Sequence, residues 1–206
     1  MEIYSTEEQQ VDAIKQFWKD YGTSIVVGAV VGLGGLFGWN YYSEHQIAQA
    51  ELASEAFQAF SAPAMTEAGM LAAAETFSKD YNQKGYQSLL SLIVAKAAVE
   101  AGDFDKAQAT LKSVIATAAD TSLVMVATIR LARVQAEQGQ LAIAITTLEQ
   151  VSDPAFTAQK DELKGDFLVR KGDPEQAKVA YQAAVDNGGA MASPALQMKL
   201  DNLNKA

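Results

Sequence analysis

The chain has 206 residues, a formal net charge of −9 and no cysteine. The lack of cysteine excludes a disulfide framework, a thiolate metal site and a lipid-anchor cysteine. Only Lys15 and Lys19 of its 16 Lys and Arg precede position 44, and residues 44–206 make up one domain's length of acidic sequence, long enough to bury a core and without the basic patch that nucleic acid requires.

Residues 1–20 open with two overlapping helix-start signals, Ser5-x-x-Glu8 and Thr6-x-x-Gln9. Each pairs a hydroxyl with the carboxylate or amide that completes a capping box. Glu7 and Glu8 also suit the positive end of a helix dipole. Val11, Ile14, Trp18 and Tyr21 recur at helical spacing, so one apolar stripe leads into the next segment.

Residues 21–43, YGTSIVVGAVVGLGGLFGWNYYS, run 23 residues without a charge between Asp20 and Glu44. As a helix this stretch is about 34 Å long, enough to cross a hydrocarbon core of about 30 Å. A helix is also the form that satisfies every backbone N–H and C=O inside lipid. Trp18, Tyr21, Trp39, Tyr41 and Tyr42 fall where aromatic belts meet the two interfaces. Lys15 and Lys19 lie just before the span, whereas the next cation after it is Lys79. By the positive-inside rule, residues 1–20 form a cytoplasmic amphipathic tail and the rest of the chain lies across the membrane. Ala48-Gln49-Ala50 has the form of a signal cleavage site, but it sits well beyond the apolar run and comes after a long, acidic start. The span therefore reads as an uncleaved anchor. Gly28, Gly32, Gly34, Gly35 and Gly38 include two small-xxx-small pairs. They suit a packing face for another membrane helix, from a second copy or a partner, and equally the composition such helices reach by chance.

Residues 44–81 are expected to form two membrane-proximal helices. The first, over 44–61, has Ile47, Leu52, Ala56, Phe57 and Phe60 apolar. Pro63 interrupts, and a second helix over 66–81 sets Met70, Leu71, Ala74 and Phe77 on one side, with a turn at 82–85.

From residue 82 the chain repeats. AGDFDKAQATLKSV (101–114), QGQLAIAITTLEQV (138–151) and KGDPEQAKVAYQAA (171–184) align without gaps, their glycines Gly102, Gly139 and Gly172 spaced 37 and 33 residues apart. Five residues after each glycine stands Ala107, Ala144 or Ala177, and nine after it Leu111, Leu148 or Tyr181. Seven before it stands Ala95, Ala132 or Gly165. Small residues where two antiparallel helices touch, a bulky one beside them and a glycine in the turn resemble the tetratricopeptide repeat. The longer first interval suggests an insertion around 118–121, between repeats. The first aromatic position of that pattern is Ser91, Thr128 and Asp161 here, a departure, and Pro174 falls where a first helical turn accepts proline. The tail from Ser193, with Pro194, Leu196, Met198, Leu200 and Leu203, is expected to cap the stack, and the two helices before residue 82 its other end. The fold class is thus all-α, a single transmembrane helix followed by an α-solenoid over 82–206 in which stacking buries faces that no single repeat can.

Catalytic signals are missing. His45, the one histidine, abuts the span, and no HExxH, GxSxG or GxxxxGKS occurs. Asp161/Glu162 and Asp103/Asp105 fall where capping and helix dipoles explain them. Neither an enzyme, a cofactor site nor a metal site is expected. The inner-face positions of the tetratricopeptide family fall on Leu92, Lys96 and Val99, then Ile129, Arg133 and Ala136, then Glu162, Asp166 and Val169. That mixture suits an extended peptide with apolar side chains, while Leu92, Val99 and Ile129 equally suit the core between helices.

The order of parts also resembles a named family. A short acidic start with an FWKDYG entry to the membrane, the glycine-rich IVVGAVVGLGGLFGWNYY and three repeats are similar, over essentially the whole chain, to the YfgM family of γ-proteobacteria. The resemblance implies an inner-membrane protein with a periplasmic domain, an ancillary subunit of the SecYEG translocon. It further implies association with the membrane-anchored chaperone PpiD and passage of exported, unfolded polypeptides to periplasmic chaperones. A rival function from the same resemblance is restraint of an envelope stress-response regulator by the cytoplasmic tail.

Overall fold

The computed structural model describes residues 7–60, 67–81 and 83–205. Ser5 and Thr6 of the capping boxes, Pro63, Thr66 and Asn82 lie outside the described residues. No strand occurs among those described, so the fold is all-α.

Helix α1 spans Glu7–Ala59 and takes in the stripe, the apolar span and the helix expected over 44–61 as far as Ala59. It passes as a membrane span by length and composition, with only 6 % of its apolar window buried. The indole of Trp18 lies over Gly22, the buried position in this stretch. Phe17 and Tyr21 stack at 5.2 Å, and Trp39 and Tyr42 at 6.4 Å, between ring centroids. The chain divides into two compact units, residues 1–52 and 53–206.

In the second unit, α2 (Glu67–Asp80) precedes three antiparallel pairs: α3 (Lys84–Glu100) with α4 (Phe104–Thr117), α5 (Thr121–Glu137) with α6 (Leu141–Glu149), and α7 (Thr157–Lys171) with α8 (Pro174–Asp186). A short helix α9 (Gly189–Ala192) and the final α10 (Pro194–Lys205) complete the order. Gly85, expected in a turn, lies in the first turn of α3 instead.

The three corners have one construction. Gly102, Gly139 and Gly172 hold φ of 81°, 78° and 86°, the left-handed region that a residue with a Cβ enters only at a cost. Each glycine closes a Schellman motif. Gly102 N–H donates to Val99 O and Asp103 N–H to Ala98 O; Gln140 N–H donates to Gln135 O, and Asp173 N–H to Leu168 O. The residue after the glycine then starts the next helix: the carboxylates of Asp103 and Asp173 accept from Lys106 N–H and Gln176 N–H at 3.0 and 3.2 Å. Two helix ends and the turn between them are satisfied within a few residues.

The longer first interval makes no longer loop. Helix α4 has 14 residues where α6 has 9, and only 118–120 separate α4 from α5. Extra residues are absorbed as helix because the Asp120 carboxylate caps α5 at once, accepting from Ser122 and Leu123 N–H. After the shorter α6, a single 3-10 turn at Pro154–Phe156 leads into α7.

Burial obeys the repeat pattern. Ala95, Ala107 and Leu111 are buried with Leu92, Ala127 and Leu131. Ala132, Ala144 and Leu148 are buried with Leu163 and Phe167. In the third pair a Cβ on Gly165 would collide with the Cδ1 and Cε1 carbons of the Tyr181 ring, so glycine is what lets α7 and α8 approach across that ring. At the departing aromatic positions, the hydroxyls of Ser91 and Thr128 donate to the carbonyls of Gln87 and Val124, which removes the cost of burying them.

Both ends are closed. Leu196 and Leu200 of α10 pack on Ala180, Tyr181 and Ala184 of α8. At the other end Ala53, Phe60, Phe77 and Leu90 form a separate apolar cluster, rimmed by Phe57, Tyr81 and Tyr86. Phe60 meets Phe77 edge-on at 6.0 Å, a favoured geometry for aromatic pairs. Met198, on the expected apolar side of the last helix, is exposed.

Candidate functional site

Helices α3, α5 and α7 carry the nine inner-face positions, and the structure sorts them into four groups. Leu92, Ile129 and Ala136 are buried in the interhelical clusters and present no surface. Lys96, Val99 and Arg133 come together. With Ala95, Leu111, Arg130 and Val134 they line a depression of about 190 Å3 between α3 and α5. Ala95, Val99, Leu111 and Val134 give it an apolar lining, which Lys96, Arg130 and Arg133 share. Arg130 is not among the family's inner-face positions; its placement one turn before Arg133 on α5 is the signal in the sequence that points to it. Its Nη1 donates to Leu92 O at 3.4 Å, which holds the guanidinium across the gap between α3 and α5. Lys96 pairs with Glu100 at 3.4 Å on an exposed face.

Glu162 and Asp166 are held by the chain itself. The Lys199 ammonium on α10 donates to Glu162 at 2.9 Å and to Asp166 at 2.8 Å. Ser193 Oγ donates to Glu162 at 2.8 Å, and the Tyr181 hydroxyl to Asp166 at 2.7 Å. The Lys199 ammonium also stands 5.8 Å from the Tyr181 ring centroid. Burial draws the Lys199 pKa down, but the hydrogen bonds and charges of Asp166 and Glu162 outweigh it and leave the ammonium above its ordinary value. The Tyr181 phenol is raised well above its ordinary value, first by burial and then by the Asp166 hydrogen bond and the neighbouring negative charges. Val169 is exposed at the far end of α7. Asp161 and Glu162 belong to the second turn of α7 rather than its start, so capping does not explain them. Glu162 serves the latch to α10, and burial raises the Asp161 carboxyl against the pull of Lys160 and Lys164.

A step of 33 residues, the second repeat interval, shows why the opening is local. Arg130, Arg133 and Val134 become Leu163, Asp166 and Phe167. Leu163 and Phe167 are buried where the earlier gap lies open, and Asp166 is committed to Tyr181 and Lys199. A larger hollow of about 540 Å3 lies between α2, α3 and α4, lined by Ser78, Ser88, Ser91, Ser113 and Thr117 among others. The hydroxyls of Ser88, Ser91 and Thr117 donate to carbonyls of their own helices, so they are spent as donors.

On α1, a Cβ at Gly28, Gly32, Gly34, Gly35 or Gly38 would meet nothing within 4 Å. Around them Val30, Val31, Leu36 and Phe37 are exposed. Among the described residues no group of three or more His, Asp or Glu is placed to hold a metal ion.

Comparison with known proteins agrees with this architecture. The family model described as a tetratricopeptide repeat-like domain matches residues 15–205. A protein of Escherichia coli K12 named "Ancillary SecYEG translocon subunit" is 36 % identical over 99 % of this chain and 100 % of its own length. A protein of the same name from Aggregatibacter actinomycetemcomitans is 38 % identical over 96 % of this chain and 97 % of its own. One from Neisseria gonorrhoeae is 25 % identical over 98 % of this chain and 100 % of its own. No solved structure matches significantly. With its apolar α1 and three stacked helical pairs, the chain belongs to the family of ancillary SecYEG translocon subunits with a tetratricopeptide repeat-like domain.

Proposed function

We propose that this protein is a non-enzymatic, single-pass subunit of the bacterial inner membrane that accompanies the SecYEG translocon. Its N-terminal end lies in the cytoplasm and its repeat domain in the periplasm, as Lys15 and Lys19 before the span suggest. There it holds extended segments of exported polypeptides and passes them to periplasmic chaperones, with the membrane-anchored PpiD as a neighbour. The observation that carries this reading is the open apolar depression between α3 and α5, in a family of translocon subunits. At about 190 Å3 it is smaller than the ~300–1,000 Å3 of small-molecule sites, which favours single side chains of a peptide. Binding is weak, because a disordered client is ordered as it binds. A photo-crosslinking residue at position 96 or 133 tests the reading in cells: labelling of exported chains or a chaperone is expected, and labelling of neither ends it. The glycine face of α1 is the place for translocon or chaperone helices to pack.

A second reading gives the signalling role to the cytoplasmic tail. It is favoured by Val11, Ile14, Phe17 and Trp18, all exposed on α1, which would meet an envelope stress-response regulator. Removal of residues 2–16 separates the two: full complementation of a deletion strain supports the periplasmic role, and its loss supports signalling.

A further inference from the structure

The lining of the α3–α5 depression differs in charge from the rest of the molecule. The whole chain is −9, yet three of the seven residues that line this depression are Lys96, Arg130 and Arg133, and the acid beside them, Glu100, pairs with Lys96. Glu137, at the end of α5, is taken by Arg170 at 2.8 Å. Among the described residues Arg133 has no acidic partner within salt-bridge distance, and Arg130 spends one N–H on a carbonyl, leaving four of its five donors. The rest of the lining is apolar: Ala95, Val99, Leu111 and Val134. About 190 Å3 is comparable to the ~150 Å3 cavity that holds a benzene ring, so the space takes one branched aliphatic or aromatic side chain. The neighbouring repeat offers neither feature, with Leu163 and Phe167 filling the gap and Asp166 reversing the charge.

We infer that this depression recognises an apolar side chain flanked by Asp or Glu in an extended peptide. The apolar group enters between α3 and α5, and the flanking carboxylates pair with Arg130 and Arg133. The inference rests on the reading of the domain as a polypeptide holder and specifies which segments it prefers. A guanidinium matches a carboxylate with two parallel N–H donors, so charge complementarity selects acidic-flanked segments over basic ones.

The test uses the full-length protein in lipid nanodiscs and fluorescein-labelled Gly/Ser peptides read by anisotropy. One peptide carries Leu between two Asp, a second Leu between two Lys, and a third Ala between two Asp. The first is expected to bind at least about tenfold more tightly than either other. Arg133→Gln should weaken it by roughly threefold to tenfold, and Lys178→Gln on α8 should not. Arg133→Glu should reverse the preference toward the Lys-flanked peptide, a gain that misfolding cannot produce. Equal binding of the first two peptides, or unchanged preference in Arg133→Glu, overturns the inference while leaving polypeptide holding intact. If no peptide binds while crosslinks from position 96 persist, the acidic preference alone falls. If both are absent, the holding function falls with it.

Discussion

Substitution of Gly165 by alanine probes a close contact between α7 and α8. In repeats one and two the facing residues are Ala95 with Leu111 and Ala132 with Leu148, but in the third they are Gly165 with Tyr181. A Cβ at 165 would collide with ring carbons of Tyr181. The ring cannot swing away freely, since it is 3 % exposed and its hydroxyl is tied to Asp166 at 2.7 Å. Overpacking of this kind costs about 1–3 kcal/mol, and loss of a hydrogen bond to a charged group adds about 1.5–3 kcal/mol if the ring moves. Alanine returns about 1 kcal/mol of helix propensity, so Gly165→Ala, which displaces the ring, should destabilise by about 1.5–5 kcal/mol. Tyr181→Leu in the same chain rebuilds the Ala/Leu pair of the other repeats and should recover part of the loss. The coupling in a double-mutant cycle should reach about 1–3 kcal/mol. Thermal unfolding of the detergent-solubilised protein, monitored by circular dichroism, reads this as roughly 2–4 °C per kcal/mol. A Gly165→Ala chain as stable as the parent, or a cycle without coupling, would refute the packing reasoning.

Gly139 sits at φ 78°, so Gly139→Ala should cost about 1–2 kcal/mol by the same unfolding assay, whereas Gly85→Ala, inside α3 with open space around it, should be neutral or stabilising. Thr147 Oγ donates to Gln135 Oε1 at 2.7 Å, with both side chains buried between α5 and α6; Thr147→Val strands the amide at about 1–3 kcal/mol, and adding Gln135→Leu should restore most of it. Both Tyr181 and Lys199 have raised pKa values in the folded state. Their contribution is therefore complete below the unfolded values of about 10 and is lost as pH rises above them, because the unfolded chain releases its protons first. Denaturation midpoints measured from pH 8 to 11 should fall above pH ~10, and the double change Tyr181→Phe, Lys199→Met should flatten that fall. The Asp161 pKa is raised too, so its charge opposes folding at neutral pH, and Asp161→Asn should leave stability equal or slightly higher at pH 7.

Much of the repeat architecture is legible in Gly102, Gly139 and Gly172, because a left-handed corner leaves its mark on one residue type. The small and bulky partners at fixed distances are legible for the same reason, each dictated by a single close contact. The groove is harder. One helix position turns a side chain by about 100°, so Leu92, Ile129 and Ala136, adjacent to surface positions, lie inside. Whether a gap between α3 and α5 stays open depends on Val134, and only comparison with Phe167 one repeat on explains it. Nothing near Glu162 and Asp166 in the chain marks them as a latch; their partner, Lys199, lies 33 residues after Asp166, the length of the second repeat interval, on a terminal helix that does not carry the repeat's glycine signature. The unbroken run of α1 is concealed by its change of composition at Glu44, which alters the surroundings of a helix without ending it.

The construction of the corners bears on how the domain is made. Each corner is bonded to residues no more than five positions behind and four ahead of the residue that follows its glycine, so a hairpin of two helices can close as soon as its own residues are available. Few of its contacts wait for distant sequence, the condition for rapid folding. A domain synthesised from its N-terminal end can therefore complete α3–α4 while α7 is still to arrive, and each finished pair offers its exposed side as the template for the next. α10, which follows α8 in the chain, then covers with Leu196 and Leu200 the apolar face of α8 that would otherwise stay sticky.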